Sequence, residues 1–117
     1  MPLPTEEIAR VVRQHLSPAE QRQSIAYLDE RPIKTGAAVN IGGRTQTAPW
    51  DAVLVFVDLV PSGNWGHPCL YVLVGADGER VNVLRSDMPP FLKGVPETWR
   101  LLWKGDDAPE WAVMVRR

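Results

Sequence analysis

The segment from Ala52 to Val60 is apolar at both odd and even positions, with Asp58 as its only charged residue. A strand with one solvent-exposed face alternates apolar and polar residues, whereas a strand that is apolar at both parities buries both of its faces. The β-branched valines of this segment favour a strand over a helix. The segment therefore predicts the central strand of a sheet.

Two hairpins are predicted around that strand. From Thr35 onward the apolar residues recur with a period of two, and turn residues are frequent, as in antiparallel sheets. Gly42-Gly43 is a two-residue turn in which both residues tolerate positive φ angles, and it separates the predicted strands Ala37–Ile41 and Arg44–Ala48. The sequence Gly75-Ala76-Asp77-Gly78 separates a second predicted pair, Leu70–Val74 and Glu79–Leu84.

The C-terminal part of the chain predicts a proline-rich connection and two further strands. Residues 86–97 contain Pro89, Pro90 and Pro96, which cannot donate to a sheet ladder, so a loop or an irregular edge is expected there. In Thr98–Lys104 the alternation predicts one shared face for Trp99, Leu101 and Trp103. In Glu110–Arg117 the same pattern predicts a shared face for Trp111, Val113 and Val115.

The first thirty residues predict two helices. Residues 5–16 carry apolar side chains at helical spacing, with Glu6 and Glu7 in the first turn, where the helix dipole favours negative charge. Ser17-Pro18-Ala19-Glu20 combines an N-cap serine, a proline at the first helical position and a capping-box glutamate. The second helix is expected to run to about Leu28 and to end before Pro32.

The chain is therefore predicted to be a single α+β domain over residues 1–117, with mainly β structure. A helical hairpin (residues 5–30) is followed by an antiparallel region (residues 35–117) of about six or seven strands, curled as a sandwich or partial barrel. We find no internal repeat and no linker in the sequence.

Composition excludes several classes of function. The net charge of −1 provides no electrostatic attraction for nucleic acid or anionic lipid. No apolar stretch approaches the roughly 20 residues that cross a bilayer, and the N-terminal residues lack the basic start and apolar core of a signal peptide. A single cysteine cannot form an internal disulfide. We therefore expect a cytoplasmic protein, and the excess of arginine over lysine is typical of a GC-rich bacterial gene.

The connection after the central strand holds the most reactive side chains of the chain. The sequence Pro61-Ser62-Gly63-Asn64-Trp65-Gly66-His67-Pro68-Cys69 contains the only cysteine and one of the two histidines. One hypothesis is a thiol-dependent enzyme in which Cys69 is the nucleophile and His67 its base, with Asp58 or Asn64 orienting the imidazole. The alternatives are that Cys69 is a small buried apolar residue and that Asp58 caps a turn.

Metal and phosphate sites are not predicted. Zinc sites need three or four ligands, and the chain offers one cysteine and two histidines, with aspartates as the remaining donors. The Gly42-Gly43 pair lacks the flanking residues of a phosphate-binding loop, so it is interpreted as a hairpin turn. We expect no cofactor.

The first functional hypothesis is a non-enzymatic binding module that contacts another protein or a second copy of itself. Trp50 and Trp65 lie beside loop residues, and exposed tryptophans are typical contact residues. The tryptophans at positions 99, 103 and 111 are expected in the core. The residues expected to bind are Trp50, Asn64, Trp65, His67, Tyr71, Met88 and Phe91. A third hypothesis is that the same aromatic loops bind a sugar or another small ligand.

Overall fold

The centre of the molecule is a five-stranded antiparallel sheet. The computed structural model describes residues 3–61, 67–88 and 96–114. In spatial order the strands are β6 (Val81–Ser86), β5 (Cys69–Gly75), β4 (Ala52–Asp58), β1 (Ile25–Ile33) and β7 (Trp99–Lys104). The predicted central strand is confirmed, because β4 occupies the middle position and is buried at all but one of its residues.

One face of this sheet is covered by a β-hairpin, and we call it the hairpin face. The hairpin consists of β2 (Ala38–Ile41) and β3 (Arg44–Thr47), which pair with each other alone within the described part of the chain. Gly42 and Gly43 have φ angles of +58° and +85°, so the predicted two-glycine turn is confirmed. Val39 and Ile41 are buried against the aromatic residues of the sheet.

The opposite face carries the first helix, and we call it the helix face. Helix α1 (Thr5–Arg13) buries Ile8, Ala9, Val11 and Val12 against β5 and β7. Helix α2 (Pro18–Gln23) begins with the predicted capping box, in which Ser17 and Glu20 exchange hydrogen bonds. No residue of α2 is buried, so this helix serves as a connection between α1 and the sheet.

The prediction of a second helix up to Leu28 is wrong. The helix ends at Gln23, and Ile25–Ile33 forms β1, which lies between β4 and β7. The first five residues of β1 are buried, which requires a strand with both faces covered. Pro32 is tolerated because the register shifts between Asp29 and Ile33, where the strand leaves the regular ladder. The predicted helical hairpin over residues 5–30 is therefore correct only to residue 23.

A β-bulge in β7 changes which of its side chains point to each face of the sheet. Ala26 pairs with Trp103 and Tyr27 pairs with Leu101, so Leu102 is an extra residue opposite β1. As a result Trp103 packs on the helix face, while Leu101 packs on the hairpin face with Trp99. The prediction of one shared face for Trp99, Leu101 and Trp103 is therefore wrong for Trp103, although both tryptophans are buried.

The predicted strand Glu110–Arg117 is also wrong in its described part. Residues Glu110–Ala112 form a 3₁₀ turn, and residues 113–114 are not in a strand. Trp111 is 75% exposed, so its prediction as a core residue fails. Val115, like residues 116 and 117, lies outside the described residues, as do residues 89–95 of the predicted proline-rich connection.

The prediction of a mainly β, antiparallel α+β fold is confirmed in outline. The strands of the described segments form an open five-stranded sheet and a separate hairpin, not a single sheet of six or seven strands or a closed barrel. Within the described segments, no helix is both long enough and apolar enough to span a membrane.

Candidate functional site

Three strand ends meet at one end of the hairpin face. In the sheet register Asp58 of β4 is the partner of Cys69 of β5, and Cys69 is also the partner of Ser86 of β6. Neighbouring residues in this row point to the same face. His67 and Met88 flank the row along the chain. We call Asp58, His67, Cys69, Tyr71 and Met88 the rim cluster.

Asp58 is a buried carboxylate with two partners in the cluster. It is 5% exposed, and its Oδ1 accepts a hydrogen bond from the backbone amide of Val60 at 3.1 Å and lies 2.7 Å from Nε2 of His67. Burial raises the pKa of Asp58, while the charge of His67 and its hydrogen bond act in the opposite direction. Asp58 therefore contacts both the backbone that follows β4 and the imidazole of His67.

Cys69 is a buried thiol that acts as a hydrogen-bond donor. Its Sγ donates to the backbone carbonyl of Ser86 at 3.3 Å and to that of Met88 at 3.5 Å. Burial raises the pKa of Cys69 to about 11, and the negative charges of Asp58 and Asp87 add to this effect. A thiol that is protonated at neutral pH is a weak nucleophile.

Tyr71 binds Met88, the second residue after β6, and so attaches the following connection to the sheet. It is fully buried, and its hydroxyl donates a 2.6 Å hydrogen bond to the carbonyl of Met88. Burial raises the pKa of Tyr71, with a smaller contribution from Cys69, and the backbone amide of Gly42 acts in the opposite direction. The same turn is packed against β6, because a Cβ atom on Gly42 would lie 2.4 Å from Oγ of Ser86.

The structure brings together some of the predicted binding residues and separates others. His67, Tyr71 and Met88 lie in the rim cluster, where Tyr71 is buried and therefore supports the site from below. Trp50 precedes the opposite end of β4, roughly 20 Å away along the strand, and the guanidinium of Arg80 lies over its ring at 5.5 Å. Trp50 is therefore not part of the rim cluster. The predicted contact residues Asn64, Trp65 and Phe91 lie outside the described residues.

Each of the two connections that contain predicted contact residues has an anchored residue at one end. His67 follows residues 62–66 and is held by Asp58. Met88 precedes residues 89–95 and is held by Tyr71 and Cys69. These anchors are side by side, because Cys69 is paired in the sheet with both Asp58 and Ser86.

Sequence reasoning missed two parts of this end of the molecule. The roles of Gly42 and Ser86 depend on how the separate hairpin packs against the sheet, which no local pattern signals. The second part is Tyr27, whose hydroxyl accepts from the amide of Met114 at 3.1 Å and donates to the carbonyl of Ala112 at 3.4 Å. The sequence around Tyr27 predicts a helix, so it does not indicate that the Tyr27 hydroxyl binds the C-terminal segment.

The described residues contain no group of three or more histidine, cysteine or acidic side chains placed to hold a metal ion. Comparison with known proteins found no matching protein-family model, no similar curated protein and no similar solved structure.

Proposed function

We propose that this chain is a non-enzymatic protein-binding module whose contact surface is carried by the two connections that start at the rim cluster, residues 62–66 and 89–95. The observation that supports this proposal is the pair of anchors: His67 on Asp58, and Met88 on Tyr71 and Cys69. Binding residues are commonly placed on connections that a rigid scaffold holds in position.

The residue types of the two connections fit a protein partner. They contain Trp65, Phe91 and Leu92, and tryptophan and phenylalanine are enriched at the centres of protein interfaces. The only charged residue in the two connections is Lys93, so they provide no basic patch for a polyanion. We therefore propose a partner that offers an apolar recess. This role fits the cytoplasmic location that the sequence predicts, which cell fractionation would test.

Site-specific photo-crosslinking in cells tests the proposal. A photoreactive phenylalanine analogue replaces Trp65 in one variant and Phe91 in another, and the crosslinked partner is identified and purified. We expect Trp65→Ala and Phe91→Ala to weaken binding of that purified partner by at least about tenfold. Trp111→Ala is the matched control, because Trp111 is an exposed tryptophan outside the rim cluster.

Three results would refute this assignment. They are crosslinks from position 111 that match those from positions 65 and 91, an unchanged affinity of the Trp65→Ala variant, and an equal loss of affinity in the Trp111→Ala control. Tryptophan fluorescence across a panel of sugars addresses the small-ligand hypothesis. A saturable response that Trp65→Ala abolishes would favour a sugar over a protein partner.

The thiol-dependent enzyme is the second candidate, and one contact favours it. Asp58 lies 2.7 Å from His67 and would orient the imidazole, as that hypothesis requires. Against it, the Cys69 thiol is buried and keeps its proton in hydrogen bonds to the backbone carbonyls of Ser86 and Met88. Measuring the alkylation rate of Cys69 as a function of pH distinguishes this candidate from the binding module.

A further inference from the structure

Among the described strands, β6 is an edge of the sheet, and it has fewer protective features than the opposite edge. Within the described residues β6 pairs with β5 alone. The opposite edge strand, β7, contains a bulge at Leu102 and carries Arg100 and Lys104, which are common devices against edge pairing. The six residues of β6 contain no proline and no register shift, and Arg85 is their only charged residue.

On the helix face of the sheet, β6 carries two valines followed by an arginine. Val81, Val83 and Arg85 are the register partners of Val74, Val72 and Leu70, which all face helix α1. Val83 is nevertheless 36% exposed, so the helix does not cover the outer part of this row. Glu79 lies two residues before Val81, in the turn that leads into β6. In the sequence, alternate positions therefore read Glu, Val, Val, Arg, and the last three of these residues belong to β6.

The two charges of this row are available for a partner. Glu79 and Arg85 are both exposed, and within the described residues neither forms an ion pair. The neighbouring Arg80, by contrast, is bound to Asp77 at 2.8 Å.

We propose that β6 pairs with β6 of a second copy of this chain, antiparallel and centred on Asn82, to give one continuous sheet. A twofold axis perpendicular to the sheet keeps each face on the same side in both copies. In this register Val81 lies opposite Val83 of the other copy, and extension of β6 by two residues places Glu79 opposite Arg85. Both contacts occur twice, and each is of a type that stabilises antiparallel pairs.

The charges disfavour the register that is centred one residue further along β6. Centring the pair on Val83 would place Glu79 opposite Asp87 of the other copy, and like charges in directly opposite positions are destabilising. Because a single edge contact buries less surface than a standard interface of about 800 Å² per partner, the dimer is expected to be weak and concentration-dependent. This inference concerns a different surface from the rim cluster and does not depend on the proposed function.

Sedimentation equilibrium of the full chain over roughly 10–500 μM, a range in which weak dimers of this size are populated, tests the pairing. We expect a concentration-dependent rise from the 13.1 kDa chain mass toward twice that value. Arg85→Glu and Glu79→Arg should each weaken dimerisation by about tenfold or more, because each replaces two attractive contacts with two repulsive ones. The charge-swapped double variant should dimerise like the original chain, and so should an equimolar mixture of the two single variants.

The matched control is Arg44→Glu, which reverses an exposed charge on β3 and should leave the dimer unchanged. A chain that remains monomeric over the whole concentration range would overturn the proposal. A dimer that tolerates both single charge reversals, or one that the double swap does not restore, would also overturn it. The Trp65→Ala variant should dimerise normally, so failure of this inference is distinguishable from failure of the rim-cluster proposal.

Discussion

His67 Nε2 and Asp58 Oδ1 lie 2.7 Å apart and join the two ends of the β4–β5 connection. The carboxylate is almost fully buried, whereas the His67 side chain is 25% exposed. Burial of a carboxylate is unfavourable unless hydrogen bonds compensate for the lost hydration. The imidazole and the amide of Val60 supply those bonds, so the pair both satisfies Asp58 and anchors the connection.

The first prediction concerns the pH dependence of stability at Asp58. The folded-state pKa of Asp58 is raised above its ordinary value of 3.8 because the carboxyl is buried. Its contribution to stability is therefore present below pH 3.8 and is lost as the pH rises through the folded-state pKa. We expect the Asp58→Asn variant to gain stability relative to the original chain between about pH 4 and about pH 7, measured by urea unfolding.

The Asp51→Asn variant is the control for that measurement, because its effect on the free energy of unfolding should change with pH in the opposite direction. The amide and hydroxyl of Thr35 donate hydrogen bonds to Asp51 and hold the pKa of its carboxyl below 3.8. The stability that Asp51 contributes is therefore lost as the pH falls through its folded-state pKa. If the free energy of unfolding changed with pH in the same direction in both variants, the raised pKa of Asp58 would be contradicted.

The second prediction is that Cys69 is unreactive in the folded protein. With its pKa raised to about 11 from 9.0, the thiolate fraction at about pH 8 falls by about a hundredfold. Iodoacetamide should therefore alkylate Cys69 at least about a hundred times more slowly in the folded chain than in urea. A folded-state alkylation rate that reaches its plateau near neutral pH would instead support the thiol-dependent enzyme.

The third prediction compares two neighbouring glycines. Gly42→Ala adds a methyl group 2.4 Å from Oγ of Ser86, which accepts a hydrogen bond from the amide of Met88. Gly43→Ala encounters nothing within 4 Å, although its backbone is also left-handed. We expect Gly43→Ala to cost about 1 kcal/mol from backbone strain alone. Gly42→Ala should cost about 1–2 kcal/mol more, because it also disturbs the partly buried hydrogen bond between Ser86 and Met88.

Chemical denaturation of the two glycine variants measures this difference in the free energy of unfolding. Ser86→Gly in the Gly42→Ala background should recover part of the additional loss, since it removes the clashing hydroxymethyl group. Equal destabilisation by the two glycine variants would show that the hairpin turn does not pack on β6.

The fourth prediction concerns the attachment of the C-terminal segment. Tyr27→Phe removes the hydroxyl that binds the amide of Met114 and the carbonyl of Ala112. We expect a loss of about 1 kcal/mol in stability and faster hydrogen exchange at the Met114 amide, measured by NMR. Tyr71→Phe is the matched control, because it releases Met88 and should leave the Met114 amide unchanged. Protection of that amide in the Tyr27→Phe variant would contradict the prediction.

The elements that could be predicted are those encoded by adjacent residues. The two-sided apolar pattern identifies β4, Gly42-Gly43 identifies the hairpin turn, and Ser17 with Glu20 identifies the start of α2. Each signal depends on local conformational preference or on burial of one continuous segment. Such signals do not require knowledge of which distant residues become neighbours.

The prediction failed where a local pattern is compatible with two structures. Residues 25–28 are consecutive apolar residues next to a real helix, and only their position between β4 and β7 makes them a strand. The bulge at Leu102 turns Trp103 to the helix face, where its indole donates to Ser24. A single extra residue in a strand reverses every following side chain, and alternation in the sequence cannot reveal it.

The rim cluster shows the same division. Asp58, His67 and Cys69 are candidates in the sequence because a cysteine, a histidine and an aspartate within an apolar strand are chemically conspicuous. Their arrangement was decided by the register of three strands, which makes Cys69 the partner of Asp58 on one side and of Ser86 on the other. That register also determines how deeply Cys69 and Asp58 are buried. Burial keeps the Cys69 thiol protonated, and it makes a hydrogen-bond partner such as His67 necessary for Asp58. Burial depends on the whole packed sheet, so only the tertiary structure could establish it.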